Sequence, residues 1–244
     1  MNDPRTRDDL SKFVVHLTRR HDGQSARANL LSILDAKLIK ARNAHCLFKH
    51  DIARLNFTEV LQRSFKTVCF TETPLTQIAR LTAEIPGRQI QLEPYGIVFY
   101  KDTVLERGGN PAIYINGNSH LRDYLLKQFR QHFSGIRSLL RFKQRERMYH
   151  ESIIQYYSLV NVISSNHDFT WEREWRFNGN FKFSYIDIVA VIARNPEQFQ
   201  RLCEERFSGL KLDYIRGLSV ISPDWTYEDI VETMSVQIWN NANS

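Results

Sequence analysis

The chain has 244 residues, of which 42% are hydrophobic and 25% are charged, and no linker-like stretch divides it. This composition excludes a repeat or low-complexity protein, and we expect one domain over residues 1–244. Lys and Arg number 33 against 27 Asp and Glu, so the formal net charge of +6 favours an acidic partner such as nucleic acid.

Further classes are excluded by features that the sequence lacks. The segment Met1–Ser11 has no apolar signal core, and no uncharged apolar run is long enough to span a bilayer. Cys46, Cys69 and Cys203 are widely separated and form no CxxC pair, which is typical of a reduced, cytoplasmic protein. The eight histidines show no ligand spacing, so we expect no metal.

The first predicted elements are a strand and a helix. The apolar, β-branched run Phe13–Thr18 predicts a strand that carries His16, and Ser25 is a helix N-cap. A histidine in such a strand is more often a satisfied core residue than a ligand. Arg27 and Asn29 lie near the start of the helix, where phosphate is attracted. The apolar stripe of this helix is Leu30, Leu34 and Leu38.

The middle of the chain predicts short elements of both kinds. Residues 41–65 predict only a short helix over Thr58–Arg63, whereas Thr67–Thr71 predicts a strand, and Thr73 predicts a cap before Pro74. Further predicted strands are Tyr95–Tyr100 and Ala112–Ile115.

A helical region is predicted from about residue 119 to 164, with Gly135 as a break. Within it, basic residues crowd one segment, and aromatic residues alternate with them. These residues are Arg137, Arg141, Lys143, Arg145 and Arg147, with Phe133, Phe142 and Tyr149. Cations interleaved with rings suit a phosphate backbone and stacked bases, but a solvated helix face has the same composition.

A late strand is predicted over 169–177, and the turn signal Asn178-Gly179 predicts that it continues into a hairpin. With a period of two, Trp171 and Trp175 fall on the packed face of this strand. The opposite face carries Glu172, Glu174 and Arg176. Neighbouring carboxylates on rigid backbone fit a functional site, and they fit an exposed ladder of ion pairs equally well.

The remaining elements complete a mixed pattern. They are a strand over Asp187–Ile192, a helix over Asn195–Phe207 and a strand over Ser219–Ile221. Because strands and helices do not alternate strictly, we predict an α+β fold. Neither GxGxxG nor GxxxxGK[ST] is present, so no Rossmann or P-loop nucleotide site is indicated.

Several segments together resemble the AbiGi family of abortive-infection phage-defence proteins. In chain order they are Val15–Arg19, Asn29–Leu34, Val68–Leu75, Tyr95–Phe99, Gly108–Pro111 and Glu172–Arg176. The resemblance runs from about Phe13 to Ile192, and it implies a role in phage defence. The family carries an antitoxin label in places.

A second resemblance concerns chemistry. His16 followed by an Asn-Leu-x-Ser-Ile-Leu helix is similar to the start of DarT-type ADP-ribosyltransferases, which modify DNA, and a late Glu-x-Glu strand is similar to the catalytic strand of ADP-ribosyltransferases. The resemblance implies an ADP-ribosyltransferase-like mixed β-sheet core with a helical insertion. Glu174 would bond the ribose hydroxyl next to the nicotinamide, and Glu172 would help select the acceptor. NAD would be held by His16, Thr18, Arg19, Arg27, Asn29, Thr71 and Tyr95.

The first hypothesis is therefore a toxin-like ADP-ribosyltransferase that transfers ADP-ribose from NAD to nucleic acid, RNA rather than DNA. An ionised glutamate would stabilise the oxocarbenium-like transition state, and an antitoxin protein is expected as a partner. The acceptor would be bound by Arg137, Arg141, Lys143 and Arg145. The alternative is a non-catalytic antitoxin or regulatory module that holds a partner protein or nucleic acid through its basic surface. A third hypothesis is a metal-dependent nuclease that uses Glu172, Glu174 and Asp187.

Overall fold

The computed structural model describes residues 11–84, 90–164, 168 and 170–242, and it contains helices and strands in the mixture that the sequence predicts. The strands are β1 (Phe13–Leu17), β2 (Leu38–Ile39), β3 (Thr67–Thr71), β4 (Tyr95–Tyr100), β5 (Asn110–Pro111), β6 (Ile113–Asn116), β7 (Val160–Ile163), β8 (Glu174–Asn178), β9 (Phe181–Lys182), β10 (Ile188–Ala193) and β11 (Val220–Ile221). The helices are α1 (Ala26–Ala36), α2 (Lys49–Arg54), α3 (Glu59–Ser64), α4 (Ile78–Thr82), α5 (Lys101–Glu106), α6 (His120–His132), α7 (Leu139–Glu146), α8 (His150–Leu159), α9 (Pro196–Arg206), α10 (Gly209–Arg216) and α11 (Tyr227–Ala242).

Short 3-10 turns lie between these elements, at Leu75–Gln77, Arg147–Tyr149, Thr170–Glu172 and Tyr185–Asp187. Two predicted features fall partly outside the described residues. These are the N-terminal segment up to residue 10 and Phe169, with which the predicted late strand begins.

The chain forms two compact units, and each is assembled from separate stretches of sequence. Unit 1 comprises residues 1–38, 70–107 and 182–244, and unit 2 comprises residues 39–69 and 108–181. The boundary therefore crosses the chain several times instead of falling at one linker. The expectation of a single domain stays a prediction.

Unit 1 is built on strands in the order β11–β10–β4–β1–β3, of which β3 contributes its last two residues. In β1, His16 lies opposite Ile97 of β4, and Val15 lies opposite Thr71 of β3, both in antiparallel pairing. At Gly96 a Cβ would lie 2.6 Å from the carbonyl oxygen of His16, so the approach of β1 and β4 requires glycine there. The core of this unit is Val15, Leu17, Ile78, Leu81, Val98, Ala190, Ile192, Ile221 and Ile230.

The first helix begins as predicted and ends earlier than predicted. The Ser25 side chain accepts a hydrogen bond from the backbone N–H of Ala28 at 3.2 Å, which caps α1. Leu30 and Leu34 are buried. Lys37 then adopts φ +50 and ends the helix, so Leu38 begins β2 instead of completing the apolar stripe.

Unit 2 is a layer of helices around an aromatic core. The aromatic members of this core are Phe48, Phe57, Phe65, Phe129, Phe133, Phe142 and Tyr157. The rings of Phe133 and Phe142 stack with centroids 4.6 Å apart, and those of Phe48 and Phe129 stack at 4.7 Å. The strands of this unit form the group β3–β8–β5 and the parallel pair β6–β7. Helices α6 to α8 lie in the chain between β6 and β7, where a helical insertion is predicted.

The predicted late hairpin is wrong. Gly179 does form a turn with φ +85, but β8 lies between β3 and β5, and β9 belongs to a separate two-stranded sheet. Within unit 2, β8 pairs with β5 through Arg176 opposite Asn110. A turn signal predicts a reversal of the chain, but long-range packing decides which strand becomes the neighbour.

Three smaller expectations also need correction. Thr73 does not cap a helix, because its hydroxyl bonds that of Thr71 at 2.8 Å and a 3-10 turn follows Pro74. The predicted helical region ends at Leu159, since the β-branched run Val160–Ile163 forms β7. Helices α2 and α10 have no counterpart among the predicted elements.

Candidate functional site

The Glu-x-Glu segment does not form one continuous strand. Thr170–Glu172 is a 3-10 turn, Arg173 has φ +48, and β8 begins only at Glu174. Glu172 is therefore not on the strand, which contradicts the prediction that it shares a strand face with Glu174 and Arg176. Trp175 is buried as predicted, whereas Trp171 is 44% exposed and does not pack behind the strand.

Glu174 and Arg176 do share one face of β8, and they form a buried ion pair. The Arg176 Nη2 donates to Glu174 Oε2 at 2.8 Å, and its Nη1 donates to the Ser158 carbonyl of α8 at 2.8 Å. Tyr114 of β6 donates its hydroxyl to the same Oε2 at 2.9 Å. Only 1% of the Arg176 side chain and 14% of the Glu174 side chain are exposed. The Arg176 Nε has no hydrogen-bond partner within the described part of the chain.

The electrostatics of this cluster keep Glu174 ionised. Burial alone would raise the pKa of Glu174, but the charge of Arg176 and hydrogen bonds from Arg176, Cys69 and Tyr114 outweigh it and lower the pKa below its ordinary value. The pKa of Tyr114 is raised by burial and by the nearby carboxylate, so the phenol keeps its proton and remains a donor. Burial and Glu174 likewise raise the pKa of the Cys69 thiol. The cluster is one internally neutralised pair with neutral donors around it.

The residues expected to contact NAD all lie in unit 1, and several of them bond to their own unit. The Thr18 hydroxyl contacts the carbonyl oxygens of Ala26 and Tyr95 at 2.9 and 3.0 Å. Asn29 donates its side-chain amide to the Arg19 carbonyl at 2.9 Å. These bonds bring Thr18, Arg19, Asn29 and Tyr95 together and join β1 to α1 and β4.

Three other expected contacts lie elsewhere in unit 1. His16 is on β1 as predicted, with its ring edge-on to Phe70 at a centroid distance of 5.9 Å. Thr71 is buried beside Thr73, and Arg27 is in the first turn of α1. The predicted partners Glu172 and Glu174 belong to unit 2. NAD as a co-substrate stays a prediction.

The second predicted group is the cationic segment, by which we mean residues 137–147. Ser138 caps α7 by accepting from the backbone N–H of Arg141 at 3.3 Å, and the four predicted cations are exposed. Arg145 is paired with the carboxylate of Glu146 at 2.7 Å. The side chains of Arg137, Arg141 and Lys143 make no ion pair or hydrogen bond with any described residue.

Most of the rings that alternate with these cations in the sequence are buried, so they cannot stack on a base. Phe133 is 1% exposed and Phe142 is fully buried, because both belong to the aromatic core of unit 2. Phe142 lies on the buried face of α7, and the Arg145 guanidinium lies over its ring, 5.9 Å from the ring centroid. Tyr149, in contrast, is 63% exposed. Two of the three rings are therefore not accessible for stacking on a base.

Several residues of both groups were not identified from the sequence. Tyr114 and Ser158, which bond the buried pair, are 60 and 18 residues away from their partners, and no local motif links them. Leu140 and Met148 are 67% and 78% exposed beside the cations. The exposure of Leu140 could have been predicted, because Leu140 falls outside the apolar stripe that contains Phe142.

Two further properties concern the whole described chain. No described helix combines the length and the apolar character that crossing a membrane requires. No group of three His, Cys, Asp or Glu side chains that could hold a metal ion occurs among the described residues. Asp187, the third carboxylate of the nuclease hypothesis, is paired with Arg107 at 2.8 Å in unit 1.

The protein is a mixed α and β fold in which Glu174 is paired internally with Arg176, and the cations of the cationic segment are exposed. A family model described as abortive phage resistance protein AbiGi, antitoxin, matches residues 39–217. This match covers well over half of the chain, which therefore belongs to the AbiGi family. No curated protein and no solved structure matches the chain. The resemblance to DarT-type enzymes and the ADP-ribosyltransferase-like fold thus gain no support.

The family match corrects the first functional hypothesis. A toxin-like ADP-ribosyltransferase acting on nucleic acid is wrong, because the family is described as an antitoxin, which agrees with the alternative hypothesis. The matched residues include all of unit 2, but they begin after β1 and α1. The stretch from His16 to Asn29, which suggested NAD binding, therefore lies outside the match. An NAD-dependent activity as such stays a prediction.

Proposed function

We propose that this protein is a non-catalytic antitoxin of an abortive infection system, and that it neutralises its target by binding it through the cationic segment. The observation that carries this proposal is the concentration of exposed charge in one place. Residues 137–147 hold five cations and one carboxylate, a surplus of four positive charges in a chain whose formal net charge is +6.

The state of these cations supports binding. Arg137, Arg141 and Lys143 are exposed and have no ion pair with a described residue, so they are available to an anionic partner. Exposed charges of one sign speed association and select complementary partners while contributing little to the fold. Such binding is weakened by salt, because exposed charges are screened over about 8 Å at physiological ionic strength.

The buried pair of Glu174 and Arg176 supports the non-catalytic part of the proposal. Glu174 is the residue that a catalytic hypothesis needs, yet one of its carboxylate oxygens already accepts from both Arg176 and Tyr114. Arg176 is itself bound to the Ser158 carbonyl of α8. A carboxylate engaged in this way joins β8 to β6 and helps to hold Arg176 against α8, which is a structural role.

The proposal is tested by growth of a bacterial host that carries the rest of the resistance system. Expression of this chain alone should leave growth unchanged, and its removal from the complete system should inhibit growth. Restoring the wild-type chain should rescue growth, whereas the double variant Arg141→Glu/Lys143→Glu should fail to rescue it. The matched control is Arg80→Glu/Arg194→Glu, which makes the same charge change at two exposed positions of unit 1 and should rescue.

Two results would contradict the proposal. Inhibition of growth by this chain alone would identify it as a toxin. Full rescue by the Arg141→Glu/Lys143→Glu variant would show that the cationic segment is not needed for neutralisation. Immunoblots of the host should show equal amounts of all variants, so that a loss of rescue reports binding and not abundance.

The expectation of NAD binding can be tested separately with the purified chain. A ligand that binds the folded state raises the melting temperature, by an amount that follows from its concentration relative to Kd. Under the proposed function, millimolar NAD should leave the melting temperature unchanged, and incubation should release no nicotinamide. Nicotinamide release that is lost in Glu174→Gln, with the fold retained, would instead support catalysis.

A further inference from the structure

The cationic segment and the two residues that follow it carry exposed apolar side chains as well as charges. Leu140 on α7 is 67% exposed, and Met148 and Tyr149 in the following 3-10 turn are 78% and 63% exposed. The turn directly follows α7 in the chain and contacts it, so these residues and the cations lie within one short segment. Scattered exposed apolar residues are ordinary. Here three of them lie within ten consecutive residues that also carry several cations, and the fold does not explain their exposure.

The arrangement on α7 places the apolar position between cations. With about 3.6 residues per turn, Leu140 and Gln144 occupy the face opposite the buried Phe142, and Arg141 and Lys143 lie on its two sides. An apolar centre with charged residues around it is the anatomy of protein interfaces, where the centre is buried and the rim stays hydrated.

The same surface is poorly suited to nucleic acid. A phosphate backbone would satisfy the cations but would leave the aliphatic side chains of Leu140 and Met148 uncovered. Bases stack on aromatic rings, and of the three rings in residues 133–149 only Tyr149 is exposed. The available chemistry therefore favours a partner that brings carboxylates and apolar side chains together.

We infer that the cationic segment, with Leu140 and Met148, is the docking site for an acidic protein surface that presents apolar side chains, such as an acidic amphipathic helix. This inference rests on the proposed function, and it specifies the class of target. Charge complementarity identifies the occupant: the partner's carboxylates pair with Arg137, Arg141 and Lys143, and its apolar residues cover the aliphatic centre.

The inference is tested with three fluorescent probes and the full chain. The first is a helical peptide in which Glu residues flank Leu residues spaced at i and i+4. The second replaces each Leu by Gln and keeps the same charge. The third is a single-stranded oligonucleotide of equal negative charge. Fluorescence anisotropy at moderate salt should show the Leu peptide binding at least roughly tenfold tighter than the Gln peptide, which is the gain expected from fully burying one aliphatic side chain.

Two double variants divide this affinity into its components. Arg141→Glu/Lys143→Glu should weaken both peptides more than tenfold. Leu140→Ser/Met148→Ser should remove the advantage of the Leu peptide and leave the Gln peptide unchanged. The matched control is Ile186→Ser/Leu210→Ser in unit 1, where the side chains are 91% and 78% exposed and no effect on either peptide is expected.

Three outcomes would overturn the inference. Equal affinity of the two peptides would remove the apolar centre from the site. Tightest binding of the oligonucleotide, unaffected by Leu140→Ser/Met148→Ser, would make this surface a nucleic-acid site. Failure of all three probes to bind would reject docking of this chemistry. None of these results decides the proposed function, which stands or falls on rescue of growth by the Arg141→Glu/Lys143→Glu variant.

Discussion

Unit 2 contains two groups of charges that use arginine in opposite ways. In the buried group, Arg176 is 1% exposed and donates to the Glu174 carboxylate and to the Ser158 carbonyl. In the cationic segment, Arg137 and Arg141 are exposed and unmatched by any described side chain. The same guanidinium group thus serves the fold in one place and is available to a partner in the other.

The difference follows from the cost of removing charge from water. A buried charge without a partner costs several kcal/mol, so Arg176 and Glu174 must neutralise each other before anything else can use them. An exposed charge is hydrated, so it needs no partner within the fold and remains accessible to a complementary surface. Under the proposed function, the exposed cations of the cationic segment, and not Glu174, are the charges that contact the partner.

The largest effect on the free energy of unfolding is expected for Glu174→Gln. The glutamine can still accept a hydrogen bond, but Arg176 is left buried without a counter-charge, and the free energy of unfolding should fall by about 3 kcal/mol. Urea unfolding followed by circular dichroism measures this change. The control Glu151→Gln neutralises a carboxylate whose side chain is 82% exposed and should have little effect. An unfolding curve that overlays the wild type would mean that Glu174 is dispensable for the fold.

A smaller effect is expected for Tyr114→Phe. This change removes the hydroxyl that donates to Glu174 Oε2 at 2.9 Å and leaves the ring in place. A hydrogen bond to a charged group contributes about 1.5 kcal/mol, and the same urea experiment should show a loss of about that size. Tyr124→Phe, which alters a ring that is 58% exposed, should be neutral. Equal losses in both variants would show that the bond to Glu174 is not special.

Acidification should weaken the buried pair gradually. The pKa of Glu174 in the folded protein is lowered from its ordinary value of 4.5, so the pair stabilises the fold above that pH, and this contribution is lost as pH falls through the folded pKa. Thermal unfolding between pH 7 and pH 3 should therefore show a decline that is steeper for the wild type than for Glu174→Gln. Parallel profiles of the two proteins would contradict the pKa direction.

The sequence predicted the local parts of this picture well. Ser25 caps α1 as predicted, and the helices predicted to start near residue 119 and at Asn195 do so, with Ser119 and Asn195 each accepting a backbone hydrogen bond as the cap. The strands around Val15, Ile97 and Val191 form because their runs are apolar and β-branched over the length of a strand. In all these cases the determining contacts lie within a few residues.

The site could be predicted only in part, because its partners are distant in the chain. Period-two alternation correctly placed Glu174 and Arg176 on one face, but Tyr114 and Ser158 reach them through the packing of β6 and α8. Arg173 adopts φ +48, which few non-glycine residues do, so no pattern could show that the strand begins only after Glu172. The burial of Phe142, in contrast, was visible in its helical period.

The smallest effect on the free energy of unfolding is expected for Arg141→Glu/Lys143→Glu. Both side chains are exposed and unpaired within the described chain, so the reversal should change the free energy of unfolding by less than about 0.5 kcal/mol. Arg141 lies in the first turn of α7, where a carboxylate is favoured, and Lys143 lies in the last turn, where it is not, so the two helix-dipole effects oppose each other. Urea unfolding of this variant beside Arg80→Glu/Arg194→Glu should give two curves that overlay the wild type. A loss comparable to that of Glu174→Gln would mean that the cationic segment also serves the fold, and its charges could then no longer be assigned to a partner.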